Sequence, residues 1–151
     1  MTQPGSFFLV DDDIDDVLIF QEALKKINDK IPLFYVYNGK EALDFLSEHS
    51  HPLPRIIFLD INMPKMDGKE CLKAIKSDDR FRHIPVIMYT TSSQSRDIEE
   101  TMMLGATGFI TKPSSINELN ILLSAIIETP TGKLTATLQA LTTKLSCFIV
   151  Y

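Results

Sequence analysis

The sequence predicts an α/β domain, a doubly wound five-stranded parallel sheet with helices on both faces. Three observations carry that expectation. Short β-type runs alternate with helical stretches along most of the chain. Two of the runs, Ile56 to Leu59 and Val86 to Tyr89, are apolar at every position, as strands covered on both faces must be. Polar residues then follow the strands: Asp11 and Asp12, Asp60, Thr90 and Lys112. Sheets of this kind gather their function at the carboxyl ends of the strands.

Each element has its own signal. Ser6 to Val10 is a short apolar run that stops at the aspartates. From Asp15 or Asp16 the period changes, and Val17, Phe20, Leu24 and Ile27 recur at helical spacing behind an Asp cap. Leu33 to Tyr37 reads as the second strand, and Asn38-Gly39 turns the chain into a helix carrying Ala42, Phe45 and Leu46. The third strand ends at Asp60; a loop from Asn62 to Gly68 leads to a helix with Cys71, Leu72 and Ile75. Pro85 introduces the fourth strand and Thr90 ends it, with a helix from about Arg96 to Leu104 behind it. Phe109 to Thr111 is the fifth strand, followed by Lys112-Pro113. Leu119, Leu122, Leu123, Ile126 and Ile127 mark the last amphipathic helix of the unit. Right-handed crossovers leave few arrangements, and the flavodoxin-like order 2-1-3-4-5 is the expected one.

Composition narrows the function. The chain has 151 residues, 44% of them hydrophobic and 23% charged, which suits one globular domain. A net charge of −5 argues against a broad basic face for nucleic acid. No apolar run is long enough to span a bilayer, and no leader is readable in Met1 to Gly5. Cys71 and Cys147 stand far apart without a partner motif, so a reduced, cytoplasmic setting is the simplest expectation.

Asp11, Asp12, Asp13, Asp15 and Asp16 crowd carboxylates that repel one another unless a cation or good solvation relieves them. Asp13, Asp15 and Asp16 read most simply as helix-capping residues. Asp11 and Asp12, joined by Asp60 at the same sheet end, suit a hard divalent cation such as Mg2+. A lysine and a hydroxyl beside that ion would bind the other oxygens of a phosphoryl group. A central aspartate can itself be the nucleophile. The set reads as phosphoryl transfer to a carboxylate.

Val10-Asp11-Asp12-Asp13, the string from Phe58 to Gly68, Pro85 to Thr90 and Gly105 to Pro113 together resemble the response-regulator receiver family, in its stand-alone form. The likeness covers residues 6–128, with all motifs in order. It implies that Asp60 is the phosphoacceptor and that Asp11 and Asp12 are the acidic pair at the metal. It also implies that the Asn62 backbone carbonyl completes the metal site. Thr90 would bind a phosphoryl oxygen and move with it. Lys112 would pair with the phosphoryl group, its bond to Pro113 often being cis in the family. Phe109 takes the place of an aromatic switch residue, without the hydroxyl of the usual Tyr. The implied partners are a histidine kinase or histidine phosphotransfer protein as donor and a downstream protein target. That target would read the face of the fourth helix, fifth strand and fifth helix. His49, His51 and His83 read as solvated, which leaves the donor histidine to another protein.

Three other readings compete. An aspartate-nucleophile phosphatase of the haloacid-dehalogenase type would need a further acidic pair after the lysine, and no Asp follows Asp97. A flavodoxin would need a Ser/Thr/Gly-rich phosphate loop where the aspartates stand. A degenerate receiver acting only as a binding module would not need Asp60, Thr90 and Lys112 together. The domain division expected is a receiver over 1–128 and an extension over 129–151. In that extension Leu134, Leu138, Leu141, Leu145 and Phe148 recur at a coiled-coil spacing too short to convince, and Cys147 to Tyr151 looks like a strand. Its several threonines, Thr131 among them, lower its helix propensity. The extension would pack on its own domain or against a second copy, as a homodimer.

Overall fold

A computed structural model describes residues 5–130 and 132–151; Met1 to Pro4, in the stretch read for a leader, and Thr131 of the extension lie outside the described residues. The strands β1 (Phe7–Val10), β2 (Leu33–Val36), β3 (Ile56–Leu59), β4 (Val86–Thr90), β5 (Gly108–Thr111) and β6 (Ile149–Val150) form one sheet in the order β2-β1-β3-β4-β5-β6. The first five run parallel, in the order expected; β6 is a sixth strand, antiparallel on the outer edge of β5. The helices are α1 (Ile14–Ile27), α2 (Gly39–Ser47), α3 (Gly68–Ser77), α4 (Ser95–Met103), α5 (Ile116–Ile127) and α6 (Leu134–Leu141).

Alternation along the strands builds two cores. Phe7 and Leu9 of β1 face α1, α5 and α6, in a core with Phe20, Phe58, Leu122 and Leu138. Phe8 and Val10 face the other way, toward α2 and α3, with Leu59, Leu72, Ile75 and Met88. Every residue of β1, β3 and β4 is buried, which explains the unbroken apolar runs. The helices begin where local chemistry allows. Asp13 caps α1 by accepting from the backbone N–H groups of Asp15 and Asp16, Asn38 caps α2 and Asp67 caps α3.

The extension is part of this fold. Leu138, Leu141 and Leu145 are buried in the core that α1, α5 and α6 share on one face of the sheet, so their seam faces the chain's own sheet. Glu118 of α5 accepts hydrogen bonds from the backbone N–H (2.5 Å) and hydroxyl (2.7 Å) of Ser146. Thr111 closes the junction: its N–H donates to the Phe148 carbonyl, and its hydroxyl oxygen accepts the Phe148 N–H at 2.8 Å. A side chain as enclosed as Leu138 sets a test of this packing. We expect Leu138→Ala to cost about 2–5 kcal/mol in denaturant unfolding. A loss of only about 0.5 kcal/mol, typical of a surface change, would mean the extension is detached in solution.

Candidate functional site

At the carboxyl ends of β1, β3, β4 and β5 the chain assembles one charged cluster. Asp11 is wholly buried and Asp60 nearly so, while Asp12 is exposed beside them. One carboxylate oxygen from each lies within 4.8 Å of the others, a spacing that suits one hard divalent cation with oxygen ligands. The backbone orients these groups. Asp60 Oδ1 accepts the N–H of Ile61 at 2.7 Å, and Asp11 Oδ1 accepts the N–H of Asp13 at 2.9 Å. Asn62 stands in the exposed bend two residues past Asp60.

Lys112 holds the cluster together. Its Nζ lies 2.7 Å from Asp11 Oδ2, 2.7 Å from Asp16 Oδ2 and 3.4 Å from Asp60 Oδ2. Burial alone would pull the ammonium down, but contacts with Asp11 and Asp16 and the charge of Asp60 outweigh it and raise its pKa. Burial pushes the Asp11 carboxyl up to about 6, opposed in part by Lys112. Asp11 Oδ2 meets the ammonium as an ion pair without a well-directed hydrogen bond. A buried carboxylate left so weakly satisfied has room in its coordination for a cation.

Asp16 is the residue the sequence reading missed. The helix needs one cap and Asp13 provides it, so the Asp16 carboxylate is free to reach Lys112. The sequence holds one hint, an acidic run with more carboxylates than one helix start can use, but nothing local points to Lys112. Thr90 is fully buried, and its Oγ1 accepts the backbone N–H of Ser92 at 3.3 Å. Its carbonyl accepts the Lys112 N–H at 2.7 Å, which ties the ends of β4 and β5 together.

Gly68 fixes the loop that follows Asp60. Its N–H donates to the Ile61 carbonyl at 2.8 Å, and a Cβ there would stand 2.0 Å from the Asp60 carbonyl oxygen. Only glycine permits that approach. The same loop holds Lys65 in the left-handed region, at φ 65°.

Phe109 is completely buried in the core shared with α3, and its partner across the sheet is Val150 of β6. Two expectations change. His51 is not solvated: it stacks on Phe45 at 4.0 Å and on Phe34 at 5.6 Å, because the loop folds it onto that aromatic pair. His49 and His83 are exposed as expected. Among the described residues no peptide bond is cis, so Lys112–Pro113 is trans; the small intrinsic difference at an X–Pro bond leaves this choice to its surroundings.

Comparison with known proteins adds to this geometry. The sequence matches the response regulator receiver domain family over residues 7–124. It is 32% identical to the response regulator Rcp1 of a Synechocystis species, over 77% of this chain and 82% of that protein. It is 34% identical to the polar-differentiation response regulator DivK of Brucella anthropi, over 75% of this chain and 88% of that protein. Among solved structures it is similar to the phosphorylated cyanobacterial phytochrome response regulator RcpA, at 34% identity and a TM-score of 0.75, over 82% of this chain and 91% of that one. It is also similar to the Mn2+-bound form of Rcp1, at 32% identity and a TM-score of 0.76, over 85% of this chain and 98% of that one.

The geometry of the site sets two expectations. Millimolar Mg2+ should raise the melting temperature by mass action and by relieving carboxylate repulsion, and Asp12→Asn should blunt that gain. Equal gains in parent and variant would remove Asp12 from the metal site. Gly68→Ala should destabilise the chain by about 1–3 kcal/mol through overpacking against the acceptor loop, and a variant as stable as the parent would contradict the close approach.

Proposed function

The chain belongs to the response regulator receiver domain family of two-component signalling, and from that premise we propose that it is a phosphoacceptor whose phosphorylated residue is Asp60. The observation that carries the reading is the Lys112 ammonium, gathered with buried Asp11 and Asp60 at one end of the sheet.

The donor is a phosphohistidine on a histidine kinase or histidine phosphotransfer protein. Asp60 Oδ1 is tied to the Ile61 N–H, which leaves Oδ2, on the Lys112 side, to attack phosphorus in line. An O–P bond forms as the P–N bond breaks, and the electron pair leaves with the imidazole nitrogen. Lys112 then pairs with a phosphoryl oxygen, and the Thr90 hydroxyl donates to another. Water later attacks phosphorus, restores the Asp60 carboxylate and releases inorganic phosphate. Asp11, Asp12 and Asp60, with the Asn62 carbonyl, would hold Mg2+, which supplies positive charge against the phosphoryl oxygens when bound.

The surroundings favour a protein donor. Ile19 on α1 and Ile116 at the start of α5 are apolar yet well exposed. Between these helices lies a cleft of about 100 Å3, walled by Asp16, Tyr89, Lys112 and Pro113. Such an apolar rim beside a charged centre suits a docking helix. On the output side, β6 covers the edge of β5, so a target meets α4 and the extension in place of a bare fifth strand. A cytoplasmic setting fits the unpaired thiols of Cys71 and Cys147.

Acetyl phosphate with Mg2+, followed by intact mass and peptide mapping, tests the reading. We expect a single phosphoryl group on Asp60 and none in Asp60→Asn; undiminished labelling of that variant would overturn the assignment. Lys112→Ala and Thr90→Ala should fold, yet fail to couple phosphorylation to partner binding. A normal response in both would contradict their roles.

A further inference from the structure

The helix after Thr90 is fastened differently from the others. Thr101 is the one fully buried residue of α4, whereas α1 buries Val17, Phe20, Ala23 and Leu24. Ile98 and Met102 pack only partly against the core. The residue at its N-cap, Gln94, makes no capping hydrogen bond with its side chain. With little apolar burial and no such cap, the start of α4 depends on polar contacts for its position.

Those contacts converge on Lys69, in the first turn of α3. Its Nζ lies 2.6 Å from Asp97 Oδ1 and 2.6 Å from Glu100 Oε2, both on α4. The other Asp97 oxygen accepts the Ser92 hydroxyl at 2.5 Å, and the Ser92 N–H donates to Thr90 Oγ1 at 3.3 Å. A continuous path therefore runs from Lys69 through Asp97 and Ser92 to the hydroxyl that must meet the phosphoryl group. Lys69 is well placed to be the fixed end of that path. It adjoins Gly68, which is packed directly on the Asp60 carbonyl. The pair is also shielded, with the Lys69 and Asp97 side chains 23% and 14% exposed. Hydrogen bonds from Lys69 and then Ser92 hold the Asp97 carboxyl below its usual range, which keeps it charged at neutral pH.

We propose that Lys69 is a positioning residue for the phosphoacceptor reaction: through Asp97 and Ser92 it holds the β4–α4 loop so that the Thr90 oxygen stays on the Ser92 side. This rests on the phosphoacceptor reading above. Phosphorylation draws Thr90 toward the phosphoryl group against that fastening. Loosening it makes the movement easier and raises the rate of phosphorylation. Lys69 touches neither the acceptor nor the acidic cluster, so its effect is carried by the loop.

The full chain is tested as parent, Lys69→Met, Asp97→Asn and Lys69→Arg. Phosphorylation by acetyl phosphate with Mg2+ is timed, and amide hydrogen exchange is followed across residues 91–104. Lys69→Met removes a positive charge and Asp97→Asn a negative one, so a purely electrostatic influence on the acidic site would move their rates in opposite directions. The fastening moves both the same way. We expect each to phosphorylate about two- to five-fold faster, the range an ion pair of this exposure commands. Exchange across 91–104 should quicken in both, while Lys69→Arg, which keeps the pair, stays near the parent. Rates that change in opposite directions, or parent-like rates in both variants, would overturn the proposal. Failure of the parent itself to take up phosphate would instead sink the phosphoacceptor reading, and unchanged exchange in both variants would then still refute the fastening. If Lys69→Met does not fold, Ser92→Ala breaks the same path without changing charge: faster phosphorylation in it supports the fastening, and a parent-like rate overturns it.

Discussion

One ammonium among carboxylates governs the arrangement of the candidate site. Two carboxylates about 4 Å apart repel by about 4 kcal/mol at the effective dielectric near a protein surface. Asp11 and Asp60 are both withdrawn from water, so their repulsion is not dispersed by solvent. Lys112, reaching in from the end of β5, offsets it by sitting against Asp11, Asp16 and Asp60 together. This contact also requires the fold. Asp11, Asp60 and Lys112 follow β1, β3 and β5, strands far apart in sequence whose ends the 2-1-3-4-5 order brings to one edge of the sheet. The same balance prepares the site for chemistry, because a divalent cation can take over part of what Lys112 now does and free the ammonium to meet an anionic phosphoryl group.

Much of this was legible before any coordinates. The doubly apolar strands announced a parallel sheet, and the residue after each strand marked the site, because strand ends are set by where apolar runs stop. Asp16 was not legible in the same way. Its contact with Lys112 spans most of the chain, and helix capping is the commoner fate of an aspartate at that place. His51 failed for a related reason: aromatic stacking on Phe34 and Phe45 depends on how a loop closes, which no local pattern encodes. The burial of Phe109 against Val150 depends on the extension, whose leucine spacing suits a coiled-coil seam and a buried helix face equally well.

The extension and Lys69 bear on opposite sides of the sheet end that carries Thr90 and Lys112. The extension lengthens the sheet past β5 and is bonded at Thr111, the residue before Lys112. Lys69 secures α4 from the α3 side, where apolar packing is thin. The start of α4, just after Thr90, is thus held mainly by polar contacts, while the extension and the two cores on either face of the sheet are held by burial. Under the proposed phosphoacceptor reading the site would shift on gaining a phosphoryl group, and that division serves it, since local polar contacts open at lower cost than a packed core.

The most direct test of the central interaction is nitrogen NMR of the lysine side chains in the metal-free chain, followed through a Mg2+ titration. With Lys112 enclosed by Asp11, Asp16 and Asp60, its ammonium should give a separate resonance with slow proton exchange. That resonance should shift saturably as Mg2+ binds among the same carboxylates. A Lys112 signal that exchanges as fast as the exposed lysines, and stays unmoved by Mg2+, would contradict the account.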